Sequence, residues 1–105
     1  MADSVPWYPD GYRAWHDDDN LAYKWVHDID CNLGDKCSHI RVLTAENCKS
    51  LYAQANFLDS SGSVVDWSND TANYLSPGSS ATLEFSSYDD YVASIQLTEL
   101  TCHSY

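Results

Sequence analysis

LYAQANFL-DSSG-SVVDWS, residues 51–68, is the stretch that decides the fold. Leu51, Ala53, Ala55 and Phe57 fall on one side of an extended chain, and Tyr52, Gln54 and Asn56 on the other. That period of two is the mark of a strand with one buried face. Asp59-Ser60-Ser61-Gly62 interrupts it with turn residues, and Gly62 is free to take a positive φ. Val65 and Trp67 then alternate with Asp66 and Ser68, which predicts a second strand with Trp67 in the core.

The same pattern extends outward. Residues 22–29 (AYKWVHDI), 40–45 (IRVLTA), 81–85 and 92–102 read as further strands. Ser76-Pro77-Gly78 predicts a type II turn, with Pro77 at its second position and Gly78 at its third. Along 92–102 the apolar phase runs through Ile95 and Leu97 and then changes to Leu100 and Cys102, so a bulge is expected near Thr98-Glu99. Six or seven short strands without helical periodicity predict an all-β, immunoglobulin-like antiparallel β-sandwich over residues 21–105.

Residues 1–20 read differently, as an irregular aromatic and acidic arm. Pro6, Pro9 and Gly11 break regular structure, and Asp17-Asp18-Asp19 is a charge run. The arm also holds Trp7, Tyr8, Tyr12 and Trp15, rings too large to leave wholly in water. Part of it is therefore expected to pack on the sandwich. These four rings are the candidate partner-binding residues, with Trp7, Tyr8 and Trp15 expected at the surface.

The four cysteines, Cys31, Cys37, Cys48 and Cys102, are an even count in a short chain, which points to a disulfide framework and an oxidising compartment. Three pairings are possible. The favoured one joins Cys31 to Cys37 across a turn containing Asn32, Gly34 and Asp35, and Cys48 to Cys102 between the start of one strand and the end of the last. No C-x-x-C pair supports a zinc site or a redox centre.

The stretch from Asn47 to Phe85 resembles FxLyD-type immunoglobulin-like domains of bacterial surface proteins and lipoproteins. The matching positions are Asn47, Phe57-Leu58-Asp59, Gly62, Pro77-Gly78 and Phe85, while Ala55 stands where a Phe is usual. The span from Cys31 to Cys102 is similar to cysteine-bearing variants in extracytoplasmic proteins of actinobacteria. The resemblance implies a secreted or cell-surface module with no catalytic residues to carry over. Residues 1–20 hold no apolar run of signal-peptide type, so export is expected to depend on a signal or anchor segment outside these 105 residues.

Charge narrows the partners. Sixteen acidic residues against five basic ones give a net charge of −11, which opposes nucleic acid and anionic lipid. No stretch approaches the apolar length of a membrane span. The expectation is a non-catalytic binding or spacer module for a protein or glycan partner, with no cofactor and no metal. The competing reading is a small hydrolase or metal-dependent protein with its site on the acidic loops, at His16 with Asp17–Asp19 or at Asp28 and Asp30. Asp17–Asp19 lacks the spacing of an EF-hand-like loop and reads as a solvated acidic turn, and Asp28 and Asp30, on one side of an extended segment, read as a sheet edge guarded by charge. His27, His39 and His103 are scattered, and no G-x-S-x-G elbow accompanies them.

Overall fold

Alternation in residues 51–58 becomes a strand whose inward row is sealed. In a computed structural model describing residues 7–26 and 36–103, Leu51, Ala53, Ala55 and Phe57 are each at most 1% exposed. That strand is β4 (Cys48–Leu58), and it sits centrally among the seven strands of the described residues. The others are β1 (Arg13–Trp15), β2 (Asp18–Val26), β3 (Lys36–Thr44), β5 (Val64–Leu75), β6 (Ser80–Ser87) and β7 (Ser94–His103). All pairings are antiparallel, in a four-stranded sheet ordered β1-β2-β3-β6 and a three-stranded sheet ordered β5-β4-β7.

The two sheets make a sandwich of the immunoglobulin-like class. Its strand partition is its own, because an antibody constant domain would group strands 1-2-5-4 and 3-6-7. The inward row of β4 packs with Leu21, Ile40, Val42, Leu83 and Phe85 of the facing sheet. Burying each of the larger of these side chains stabilises the fold by about 1.5–3 kcal/mol.

The turns form as their residues require. Gly62 (φ 88°) closes the β4–β5 hairpin, and Gly78 (φ 83°) occupies the third position of a turn in which Ser79 N donates to Ser76 O at 2.9 Å. Type II geometry demands that positive φ. The expected bulge in the last strand is at Thr98. Gln54 pairs with Glu99 and Ala55 with Leu97, leaving Thr98 unopposed while its hydroxyl donates to Gln54 O at 3.0 Å.

β5 departs from the expected phase. A register shift between Phe57 and Leu58 leaves Val65 as an extra residue, and beyond it Asp66, Ser68 and Asp70 pair with Phe57, Ala55 and Ala53 on the inner side. Trp67 therefore points outward and is 57% exposed, not in the core. The inner polar row has a purpose. Glu84 N donates to Asp70 Oδ2 at 2.9 Å, Ser86 N to Ser68 Oγ at 3.2 Å, and Ser87 Oγ to Asp66 Oδ2 at 2.6 Å. These bonds satisfy the edge of β6 that β3 does not, and so join the two sheets along one side. An edge strand left open invites pairing with other chains.

The stretch expected to be irregular before residue 21 also contributes strands. β1 lies within it, and β2 begins at Asp18. A shift between Ala14 and Trp15 sets Trp15 against Asp18 and turns its ring inward, where it is 4% exposed.

Cys48 and Cys102 are bonded, with Cα atoms 5.7 Å apart, and tie β4 to β7 within one sheet. The expected Cys31–Cys37 pair, with its turn over residues 30–36, involves residues outside those described. Closing a 54-residue separation removes denatured-state entropy worth about 4 kcal/mol. The double variant Cys48→Ala/Cys102→Ala is expected to lose roughly 2–5 kcal/mol in urea unfolding at unchanged secondary structure. Two further substitutions separate inner from outer positions in the same assay. Phe57→Ala is expected to cost about 3–5 kcal/mol, whereas Trp67→Ala changes stability by no more than about 1 kcal/mol.

Candidate functional site

Trp7 is held in place and still open to solvent. Its indole Nε1 donates to Asp19 O at 2.9 Å, and its ring meets that of Tyr8 edge-on at 5.4 Å while remaining 42% exposed. The chain between these rings and β1 is ordered by a turn. Tyr12 N donates to Pro9 O at 3.3 Å, and Gly11 takes a φ of 94° that only glycine adopts at little cost.

The four sequence-nominated rings separate. Tyr8 and Tyr12 are half-buried, and the Lys24 Nζ sits 5.0 Å from the centroid of Tyr12, in cation–π range. Trp15 was expected at the surface but is a core residue, packed edge-on to Tyr23 at 6.0 Å. It can contact no partner. The arm thus offers Trp7 and Tyr8, with Tyr12 beside them in sequence.

Of the acidic loop candidates, His16 with Asp17–Asp19 lies within the described residues and is not assembled into a site. His16 Nε2 lies 3.3 Å from Asp17 Oδ2, with both side chains more than 70% exposed, a geometry worth little in water. Among the described residues no three His, Cys, Asp or Glu side chains converge as a metal ion would need. His27, Asp28 and Asp30 lie outside the described residues. His39 is buried on β3, and its Nε2 lies 2.9 Å from Glu84 Oε1 directly across on β6, a pairing no sequence spacing announced.

Register creates a second aromatic surface, on the outer side of the three-stranded sheet. Across the strands, Trp67 stands beside Asn56 and Asn56 beside Gln96; the next row is Asn69, Gln54 and Glu99; the next is Thr71, Tyr52 and Thr101. The Tyr52 hydroxyl donates to Gln54 Oε1 at 2.8 Å and accepts from Asn69 Nδ2 at 3.2 Å. Tyr52, Gln54 and Asn56 were legible as one outward row. Their union with Trp67, Asn69 and Gln96 depends on strand pairing, and no signal within any one strand carries it.

At the end of β5, Tyr74 takes a left-handed backbone (φ 61°), rare for a residue with a Cβ. It borders a shallow crevice of about 210 Å³ lined by Asn47, Cys48, Lys49, Leu75 and Ser76. At the opposite end of β4, Asp59 Oδ1 accepts from Ser61 Oγ at 2.7 Å and from Ser61 N and Ser63 N at 2.9 Å each. The Ser61 hydroxyl first, and then the Ser63 amide, hold its carboxyl below the ordinary 3.8.

No family model, no curated protein and no solved structure matches the chain.

A carbon-detected NMR titration is expected to place the Asp59 midpoint below 3.8. Because folding depresses this pKa, its stabilising effect is present above the unfolded value and disappears as pH falls through the folded one. Asp59→Ala is accordingly expected to lower the Tm at neutral pH, with the difference closing in strong acid.

Proposed function

We propose that this chain is a non-catalytic extracytoplasmic binding module of a secreted or membrane-anchored protein, related to the FxLyD-type domains it resembles, and that it presents aromatic rings to a protein or glycan. The observation that carries the reading is Trp7, whose N–H is tied to the Asp19 carbonyl while its ring stays 42% exposed. An anchored ring loses little further freedom when a partner covers it, so its apolar area converts efficiently into affinity. The Cys48–Cys102 bond suits an oxidising compartment, and among the described residues no helix is long and apolar enough to cross a membrane.

Binding of the labelled protein to arrays of glycans and of secreted proteins tests the reading. Specific ligands are expected, and at least one should be lost in Trp7→Ala or Tyr8→Ala while stability falls by less than about 1 kcal/mol. Arrays without a specific ligand, or ligands indifferent to every exposed aromatic, would overturn it. Export has its own measurement. Thiol alkylation in the native cells should find Cys48 and Cys102 unreactive until reductant is added, and free thiols there would exclude the extracytoplasmic assignment.

A further inference from the structure

The chain carries a charge of −11, yet the outer side of the β5-β4-β7 sheet is almost uncharged. Through the three rows centred on Asn56, Gln54 and Tyr52, Glu99 at the β7 edge is the one acidic or basic side chain. The remaining positions are amides, hydroxyls and two aromatic rings. The outer rows across β2, β3 and β6 of the four-stranded sheet also hold one carboxylate, Glu84, but they add Lys24 and Arg41, so the face around Trp67 is set apart by its amides and rings rather than by a scarcity of carboxylates.

The composition matches one kind of ligand. Primary amides carry both donors and acceptors and can bond adjacent hydroxyls in pairs. Trp67, 57% exposed on a flat sheet, offers an apolar plane on which the C–H face of a pyranose ring can stack. The hydrogen bonds Asn69 Nδ2 to Tyr52 Oη and Tyr52 Oη to Gln54 Oε1 hold three of these groups in fixed positions. Strand spacing and side-chain period make the face about 10 Å by 14 Å, long enough to run along an extended oligomer rather than enclose a small molecule. Glu99 and the field of the whole chain disfavour an acidic polymer.

We infer that the outer face of the β5-β4-β7 sheet binds a neutral, hydroxyl-rich glycan chain, with Trp67 as its stacking anchor and Gln54, Asn56 and Asn69 as its hydrogen-bonding amides. The inference rests on the binding-module reading but places the glycan on a different surface from Trp7.

Amide NMR titration of the intact chain with cellohexaose, xylohexaose and mannohexaose tests it, with hexagalacturonate as the acidic comparison. At least one neutral hexaose is expected to give saturable shifts centred on Trp67, Asn56 and Gln54. Hexagalacturonate is expected to give none there. Trp67→Ala should weaken binding by about tenfold or more, the loss typical of an anchoring aromatic. Gln54→Ala should weaken it less, and Trp7→Ala should leave it unchanged. An unchanged Tm in Trp67→Ala guards against loss of fold. Three results would overturn the inference: no saturable shift from any neutral hexaose up to roughly 10 mM, equal or stronger binding of hexagalacturonate, or loss of binding on Trp7→Ala with Trp67→Ala indifferent. The last would leave the module reading standing on the arm, whereas failure of the arrays above would remove that reading itself.

Discussion

Everything in this sandwich is positioned by the inward row of β4. Leu51, Ala53, Ala55 and Phe57 are sealed from water, and the same strand pairs with β5 on one side and β7 on the other. Two alanines between two large side chains leave room in the middle of the row for the facing sheet. A one-residue slip of β4 would carry all four to the outer face and bring Tyr52, Gln54 and Asn56 inside. The register of the whole three-stranded sheet, and with it the composition of its outer surface, follows from keeping this row dry.

A second constraint acts on β5. Between residues 66 and 70 the inner side of this strand is polar, because the neighbouring edge of β6 still has amide donors to satisfy. Asp70 and Ser68 accept from the Glu84 and Ser86 amides, and Asp66 from the Ser87 hydroxyl. A buried polar group without a partner costs about 1–3 kcal/mol, so leaving the Glu84 and Ser86 amides and the Ser87 hydroxyl all unpaired costs more than the about 1.5–3 kcal/mol gained by burying one further apolar side chain. That balance expels Trp67. A ring that would serve as core in an ordinary alternating strand becomes a surface group because polar residues are needed behind it.

The arm before residue 21 shows the opposite outcome. Pro9 and Gly11 do break the chain there, but they do so to form a turn that delivers Arg13–Trp15 to the edge of β2. The shift at Ala14 and Trp15 then turns one aromatic inward and leaves Trp7 and Tyr8 at the surface. Disorder and tight turns use the same residue types, and only contact with the sheet distinguishes them here. The two wet aromatic surfaces, Trp7 with Tyr8 and Trp67 with its amides, thus rest on separate local features of the structure.

Local pattern was enough for the class of fold. Alternation in 51–58, the glycines at 62 and 78 and the bulge at Thr98 are local signals, and each appears where its residues demand it, while the even cysteine count called for disulfides and Cys48–Cys102, the favoured long-range pair, is bonded. Local pattern was not enough for the side of a sheet on which a residue lies once a bulge intervenes. Val65 is extra in β5 and puts Trp67 on the outer face, and the separate shift between Ala14 and Trp15 in β1 turns Trp15 inward, so the two rings exchanged the environments that their own neighbours suggested. The His39–Glu84 pair and the amide surface around Trp67 join strands far apart in the chain, so they exist only through cross-strand register. Sequence by itself determined a small, oxidised, acidic β-sandwich. Tertiary structure decided which aromatics meet water, because that depends on which backbone edges still need hydrogen bonds once the sheets have closed.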